Sequence, residues 1–326
     1  MPTSPVFIGM DGEFIGVKDG RLVTAAGYVN ATKRFGVDGH PRTFELRTIP
    51  KKDSHEMVDD IHFVLNCGMT YAPRVAALDE WNANGSPFSV PLGTHIHVDA
   101  QLGQSSIDLL DYLFGIPISL AMVNASAIRY YDGYGRISDV RMDHGSTSNS
   151  KYGRSRIEYR TTPTFWQTRK ITQGILDFLF TVVDAMCNKK IGHMVSIMND
   201  TVDEFRRDSI RSTFQESTRT REEAGAYSKT ILNEFNLGDD ILVKYKEAIT
   251  SLSARTDGNI KTGWPATEII NKKNRIVNKV MFDSVDQLCS QLSVSNTYIP
   301  VWYNSCISGG EPDVITEVGN DEDTSV

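Results

Sequence analysis

The chain has 326 residues, 40% of them hydrophobic and 23% charged, with a formal net charge of -7 and four scattered cysteines. This is ordinary globular composition, with enough chain to bury a large core. Six of the seven excess negative charges lie after Gly310, at Glu311, Asp313, Glu317, Asp321, Glu322 and Asp323. The body is therefore near neutral, which gives no support to a broad nucleic-acid surface. No run of about 18 apolar residues suggests a membrane span. The start, Met1-Pro2-Thr3-Ser4-Pro5, lacks the basic and apolar regions of a signal peptide. Without a C-x-x-C pair, Cys67, Cys187, Cys289 and Cys306 read as reduced thiols, and the chain as cytoplasmic.

The first predicted strand spans Val6 to Ile15, and its alternation puts Asp11 and Glu13 on one face among apolar neighbours. Buried carboxylates are costly unless paired, so these two reach a cleft or hold a cation. Lys18-Asp19-Gly20-Arg21 reads as a hairpin turn, as does Val37-Asp38-Gly39-His40-Pro41. The latter leads into a strand with Glu45 and Arg47 on one face, for which a cross-strand ion pair is the plain alternative.

Asp53 to Asn66 carries a helical stripe of Met57, Ile61, Val64 and Leu65. After a strand-and-loop region comes Gly93-Thr94-His95-Ile96-His97-Val98-Asp99. Here His95, His97 and Asp99 point one way and Ile96 and Val98 the other. Imidazole beside carboxylate is divalent-metal chemistry, although solvated histidines on a surface strand give the same pattern. Ser105 to Phe114 is a predicted helix, broken or kinked at Gly115-Ile116-Pro117, with a second helical piece over 118–128.

Between 129 and 160 six arginines (Arg129, Arg136, Arg141, Arg154, Arg156, Arg160) interleave with tyrosines, and Gly145 to Gly153 reads as a mobile loop. Such a local basic patch suits an anionic small ligand as well as it suits salt bridges. Arg156-Ile157-Glu158-Tyr159-Arg160 alternates as a strand. Gln167 to Asn188 is a long helix; further helices are predicted from Asn199 to about Ser253, a loop over 254–263, and a mixed region to about Ile307.

Strands around Glu13, Glu45, His95 and Glu158 thus place acids or imidazoles at alternate positions. Joined in one antiparallel sheet, they would form a carboxylate and histidine face. That donor set favours magnesium or manganese over structural zinc. The chain has neither a P-loop nor a dinucleotide glycine fingerprint, so a nucleotide would rest on metals and arginines.

An ordered series of pieces carries a family resemblance. It runs Gly9-Met10-Asp11-Gly12-Glu13-Phe14, Val37-Asp38-Gly39-His40-Pro41 with Glu45-Leu46-Arg47, and Gly93-Thr94-His95-Ile96-His97. It continues with Leu110-Asp111-Tyr112-Leu113 and Pro117, Tyr134-Gly135-Arg136 with Arg141, and Tyr152-Gly153 with Ile157-Glu158-Tyr159-Arg160-Thr161. Over roughly residues 6 to 180 the chain resembles the glutamine-synthetase-like carboxylate-amine ligases, and most closely the phage-type COOH-NH2 ligase type 2 branch. It departs at Gly12, where that branch is expected to carry proline, and in a longer spacer over 143–156.

The resemblance implies an α+β fold, with a curved antiparallel sheet backed by helices. The organisation expected is a catalytic sheet domain over 1–190, a helical or mixed part over 191–308 packed on it, and an acidic tail over 309–326. It implies ATP-dependent amide formation through an acyl phosphate, with magnesium or manganese as the metal. The substrates would be a carboxylate and an amine, small molecules or peptides, with no nucleic acid or membrane partner and an open oligomeric state. A phage-encoded chain would act in the host cytoplasm. By carry-over, Glu13, Glu45, His95 and Glu158 would be metal ligands, with Asp11 and His97 as supports or further ligands. Arg160 and Arg47 would contact phosphate or the acyl phosphate, Arg136 and Arg141 the substrate or γ-phosphate, and Arg154 and Arg156 the ATP phosphates. Two other readings stand beside this one. The first is a different metal-dependent enzyme, a hydrolase or oxygenase using His95, His97 and Asp99. The second is a non-catalytic binding module on the same fold.

Overall fold

Alternating apolar and polar residues need a pleated sheet with one face on a core, and that is what the strands form. The structure is a computed structural model. It describes residues 6–29, 34–38, 40–71, 73–100, 102–143, 156–188, 202–203, 206–207, 239–255 and 257–264. Strand β1 (Ile8–Lys18) is the longest, and the others are β2 (Arg21–Leu22), β3 (Phe35–Val37), β4 (Phe44–Arg47), β5 (Glu80–Asn82), β6 (Thr94–Val98), β7 (Val140–Asp143) and β8 (Arg156–Tyr159). The sheet runs β3-β4-β1-β6-β8-β7, with β2 and β5 also pairing with β1. Every pairing is antiparallel.

The β1–β2 hairpin forms where the sequence predicts it. Asp19 and Gly20 both take positive φ, +49° and +68°, and Val17 pairs with Leu22. Two left-handed residues match the twist of the flanking strands, which suits Asp-Gly.

The back of the sheet is apolar. Met10, Phe14, Phe44, Leu46, Ile96, Val98, Ile157 and Tyr159 are each at most 1% exposed. Helices α1 (Ser54–Tyr71) and α6 (Arg169–Asn188) join this core, and α7 (Asp239–Ala254) packs on α6. The short helices are α2 (Pro73–Ala76), α3 (Gln104–Leu110), α4 (Ile116–Ala121), α5 (Val123–Tyr131) and α8 (Ile260–Gly263). The architecture is α+β: an antiparallel sheet with helices behind it. No single described helix is long and apolar enough to cross a membrane.

Two predicted elements differ. The helix expected to break or kink at 115–117 continues through Pro117. A π-helical turn over Asp111–Gly115 joins α3 to α4, and the sharp bend, 103°, falls at Met122 between α4 and α5. Proline removes the N–H that would bond the carbonyl four residues back. That carbonyl, on Leu113, accepts the Tyr245 hydroxyl at 2.9 Å instead. The loop predicted over 254–263 contains α8, whose start is capped when Asn259 accepts the Lys261 N–H at 3.1 Å. The predicted loop over 145–153 and the acidic tail over 309–326 lie outside the described residues, as does most of the part predicted over 191–308.

Candidate active site

Strand register decides which side chains can meet. Asp11 pairs with Arg47 on β4 and with His95 on β6. Glu13 pairs with Glu45. His97 pairs with Glu158, which in turn pairs with Arg141 on β7. Directly opposed residues share a face, so all of these project from the front of one sheet. Arg156 pairs with Asp143 at the edge of the sheet. Arg154 lies outside the described residues.

The front is not an open, wet surface. Glu13, Glu45, His95 and His97 are all buried. Glu13 Oε2 accepts the Gly93 N–H at 2.5 Å, and Oε1 accepts the Tyr134 hydroxyl at 3.1 Å. Burial, then repulsion from Asp38, pushes the Glu13 carboxyl up to about 8. His95 Nε2 lies against the Tyr134 hydroxyl, and its Nδ1 is 3.3 Å from Glu158 Oε1. Burial, only partly offset by Asp11, lowers the His95 imidazole to about 3 and keeps it neutral. His97 Nε2 is 2.7 Å from Asp11 Oδ2. Burial works to raise the Asp11 carboxyl, but His97 beside it, with His95 and Arg47, holds it below its ordinary value.

The arginines divide. Arg160 is nearly enclosed: its Nε is 3.7 Å from Glu158 Oε1, and its Nη1 is 3.7 Å from Asp139. Arg141 reaches Glu158 Oε2 at 3.7 Å and leaves 62% of its side chain exposed. Arg47 is tied to Glu45 and donates to the Val37 carbonyl at 3.1 Å. Arg136 is not brought to this face by any described contact. Its guanidinium turns to the Tyr130 carbonyl, 3.4 Å away, in the loop that follows α5. Asp99 follows the end of β6, its N–H bonded to the Phe7 carbonyl.

The site contains two residues that alternation could not assign. Tyr134 sits beneath Arg160, and Arg129 is fully buried beside it. The pattern Gly133-Tyr134-Gly135, with φ of +74° and +60° at the glycines, was the available signal. Gly12 has its own reason: a Cβ there would lie 2.2 Å from Trp166 Nε1, on the back of the sheet. Asp11 and Glu13 keep their places on the front regardless.

Residues 8–227 match the family described as Phage phiEco32-like COOH.NH2 ligase-type 2. The chain belongs to this family. Among solved structures it is similar to a bifunctional glutathione synthetase from Pasteurella multocida, at 11% identity and a TM-score of 0.47. That likeness covers 91% of this chain and 51% of the other, so the chain spans about half that protein's length. No curated protein matches it.

As a member of a carboxylate-amine ligase family, the chain can be tested for a metal. The donor set is right in kind: three glutamates, an aspartate and two imidazoles on one face, rich in hard oxygen. Glu13 and Glu45 are buried and face one another in register, and positive charge between two such carboxylates would offset their repulsion. Among the described residues, however, no three such side chains are already arranged around a cation. They are turned onto one another and onto Arg47, Arg141, Arg160, Tyr134 and Gly93. A cation would have to exchange for some of these partners.

Proposed function

We propose that this protein is an ATP- and magnesium-dependent carboxylate-amine ligase. One observation carries the reading. Glu13, Glu45, His95 and Glu158 come from four strands onto one face, with Arg160 and Arg141 at its edge. Family membership supplies the reaction class.

In this reading the carboxylate substrate takes the γ-phosphoryl group of ATP, and the amine then displaces phosphate to leave an amide. The four named residues would hold the metal, with Asp11 and His97 orienting one another beside it. Bound magnesium, or manganese, supplies neutralisation of the phosphate oxygens. The protein's own work is positioning and charge. Arg160, shielded from water, presents a planar fork to the transferring group, where its contact strengthens as charge develops. Arg141, largely free in solvent, is placed to follow an entering phosphate or carboxylate. Arg154 and Arg156 would contact the ATP phosphates, as the family resemblance implies. Arg47, now tied to Glu45, would contact phosphate or the acyl phosphate, and Arg136 the substrate or γ-phosphate once its guanidinium leaves the Tyr130 carbonyl. The substrates are small molecules or peptides carrying the two groups.

The test is ADP release by the purified chain against a panel of amino acids and peptides. The expected result is release that needs magnesium and is stimulated by a particular carboxylate and amine pair. Absence of release, together with no magnesium-dependent ATP binding by calorimetry, would overturn the reading.

A further inference from the structure

Tyr134 enters no step of the reaction described above, yet two cations share its ring. Arg129 Cζ and Arg160 Cζ each lie 4.7 Å from the ring centroid. Neither guanidinium hydrogen-bonds a carboxylate among the described residues. Arg129, fully buried, donates instead to the carbonyls of Arg160 at 2.6 Å and Thr161 at 2.8 Å. Arg160 meets acids only at 3.7 Å, Glu158 from Nε and Asp139 from Nη1, which is beyond hydrogen-bond reach. Its Nε is buried and has no hydrogen-bond partner among the described residues.

The packing around the ring is close. A Cβ on Gly135 would collide with the Arg129 guanidinium, and one on Gly93 would lie 2.8 Å from both Arg129 Nη2 and the Tyr134 hydroxyl. The Arg160 main chain is fixed as well: its carbonyl accepts from Arg129, and its N–H donates to the Asp139 carbonyl at 2.8 Å. The side chain is what remains to be held, and the ring lies under it. A guanidinium can be held in two ways. A carboxylate in hydrogen-bond contact takes up N–H donors and neutralises the charge. An aromatic face attracts the cation through its quadrupole and leaves the fork of donors open to an incoming anion.

We propose that the Tyr134 ring is a positioning platform for Arg160. It holds the guanidinium against its face, so that the N–H donors stay available to the transferring phosphoryl group. This rests on the role given to Arg160 in the ligase reading, and adds to it a residue that acts on the phosphoryl group only through Arg160.

The experiment uses the full chain and two variants, Tyr134→Phe and Tyr134→Leu. Both lack the hydroxyl and only Tyr134→Phe keeps the aromatic face, so comparing them cancels whatever the hydroxyl does at Glu13 and His95. Arginine side-chain NMR, with Arg160 assigned by its loss in Arg160→Lys, should show the Arg160 Nε–H moved upfield by the ring in the wild type and in Tyr134→Phe. In Tyr134→Leu it should return to the ordinary range. ADP release per folded molecule at saturating magnesium should give a kcat about tenfold lower for Tyr134→Leu than for Tyr134→Phe, with the KM for ATP within about twofold. A merely structural ring would lower the melting temperature of Tyr134→Leu and leave the two variants with equal kcat, which overturns the inference alone. An Arg160 Nε–H at its ordinary position in the wild type also overturns it alone, and that can be read even if Tyr134→Leu does not fold. If the wild type releases no ADP with any pair in the panel, the ligase reading falls and takes the inference with it.

Discussion

The two faces of the central sheet are built from the same strands, one residue out of step, and they do opposite things. The back carries Phe14, Phe44, Met10, Leu46 and Ile96, in van der Waals contact with the helices behind. The front carries Glu13, Glu45, Asp11 and His95, also largely removed from water. Burial of the back set stabilises the fold through the hydrophobic effect and packing. Burial of the front set opposes folding, because charge is being taken out of water. The lesson is that the front is a cost the back can carry, and a cost of that kind points to chemistry.

Breaking the back should have the largest effect. Phe14 stacks on Phe44 at 5.1 Å and touches Phe35, Trp81 and Trp166. Phe14→Ala should lose about 3–5 kcal/mol in denaturant unfolding. A loss under about 1 kcal/mol would mean that the aromatic cluster is not the core it looks like.

Next comes a buried acid that belongs to neither face. Asp111 is fully enclosed and accepts from the Ser138 hydroxyl and from the Tyr159 hydroxyl at 2.7 Å. Burial outweighs these bonds and pushes its carboxyl up to about 6. The folded state therefore binds this proton more tightly than the unfolded chain does. Its contribution to stability is fully present below the unfolded value near 4 and is lost as pH rises through about 6. Stability should fall by about 2–3 kcal/mol across that window, and Asp111→Asn should flatten the slope. Urea melts at a series of pH values measure this, and an unchanged slope in the variant would remove Asp111 as its source.

Arg141 should give the smallest change. Its side chain is mostly exposed and its contact with Glu158 is long. Arg141→Ala should alter stability by less than about 0.5 kcal/mol, whatever it does to turnover. A clear drop in melting temperature would show that Arg141 is part of the scaffold.

How much of this was legible in the chain follows the same division. Period-two alternation fixes which face a strand residue takes, so Asp11, Glu13, Glu45, His95 and Glu158 are legible as one face once their strands are joined. Arg136 and Tyr134 sit in a loop with positive-φ turns, where no period exists to read, so alternation assigns neither of them to a face. Arg129 was counted with the loop arginines because nothing local announces that α5 buries it. Pro117 looked like a break because its remedy, the Tyr245 hydroxyl, comes from 132 residues further along the chain from Leu113. Contacts between distant segments leave no mark in local pattern.

The central claim is that the front face works as a metal and phosphate site, and Glu158 with Arg160 tests it most directly. The two are next-but-one neighbours and 3.7 Å apart, so a structural salt bridge is the competing account. The measurement is ADP release against magnesium concentration for the wild type, Glu158→Gln and Arg160→Lys, with melting temperatures alongside. Glu158→Gln loses a hard anionic ligand and should shift the magnesium curve to higher concentration. Arg160→Lys keeps the charge but loses the fork, and should slow turnover with the magnesium curve in place. Superimposable magnesium curves for all three proteins, with both variants merely less stable, would contradict the account.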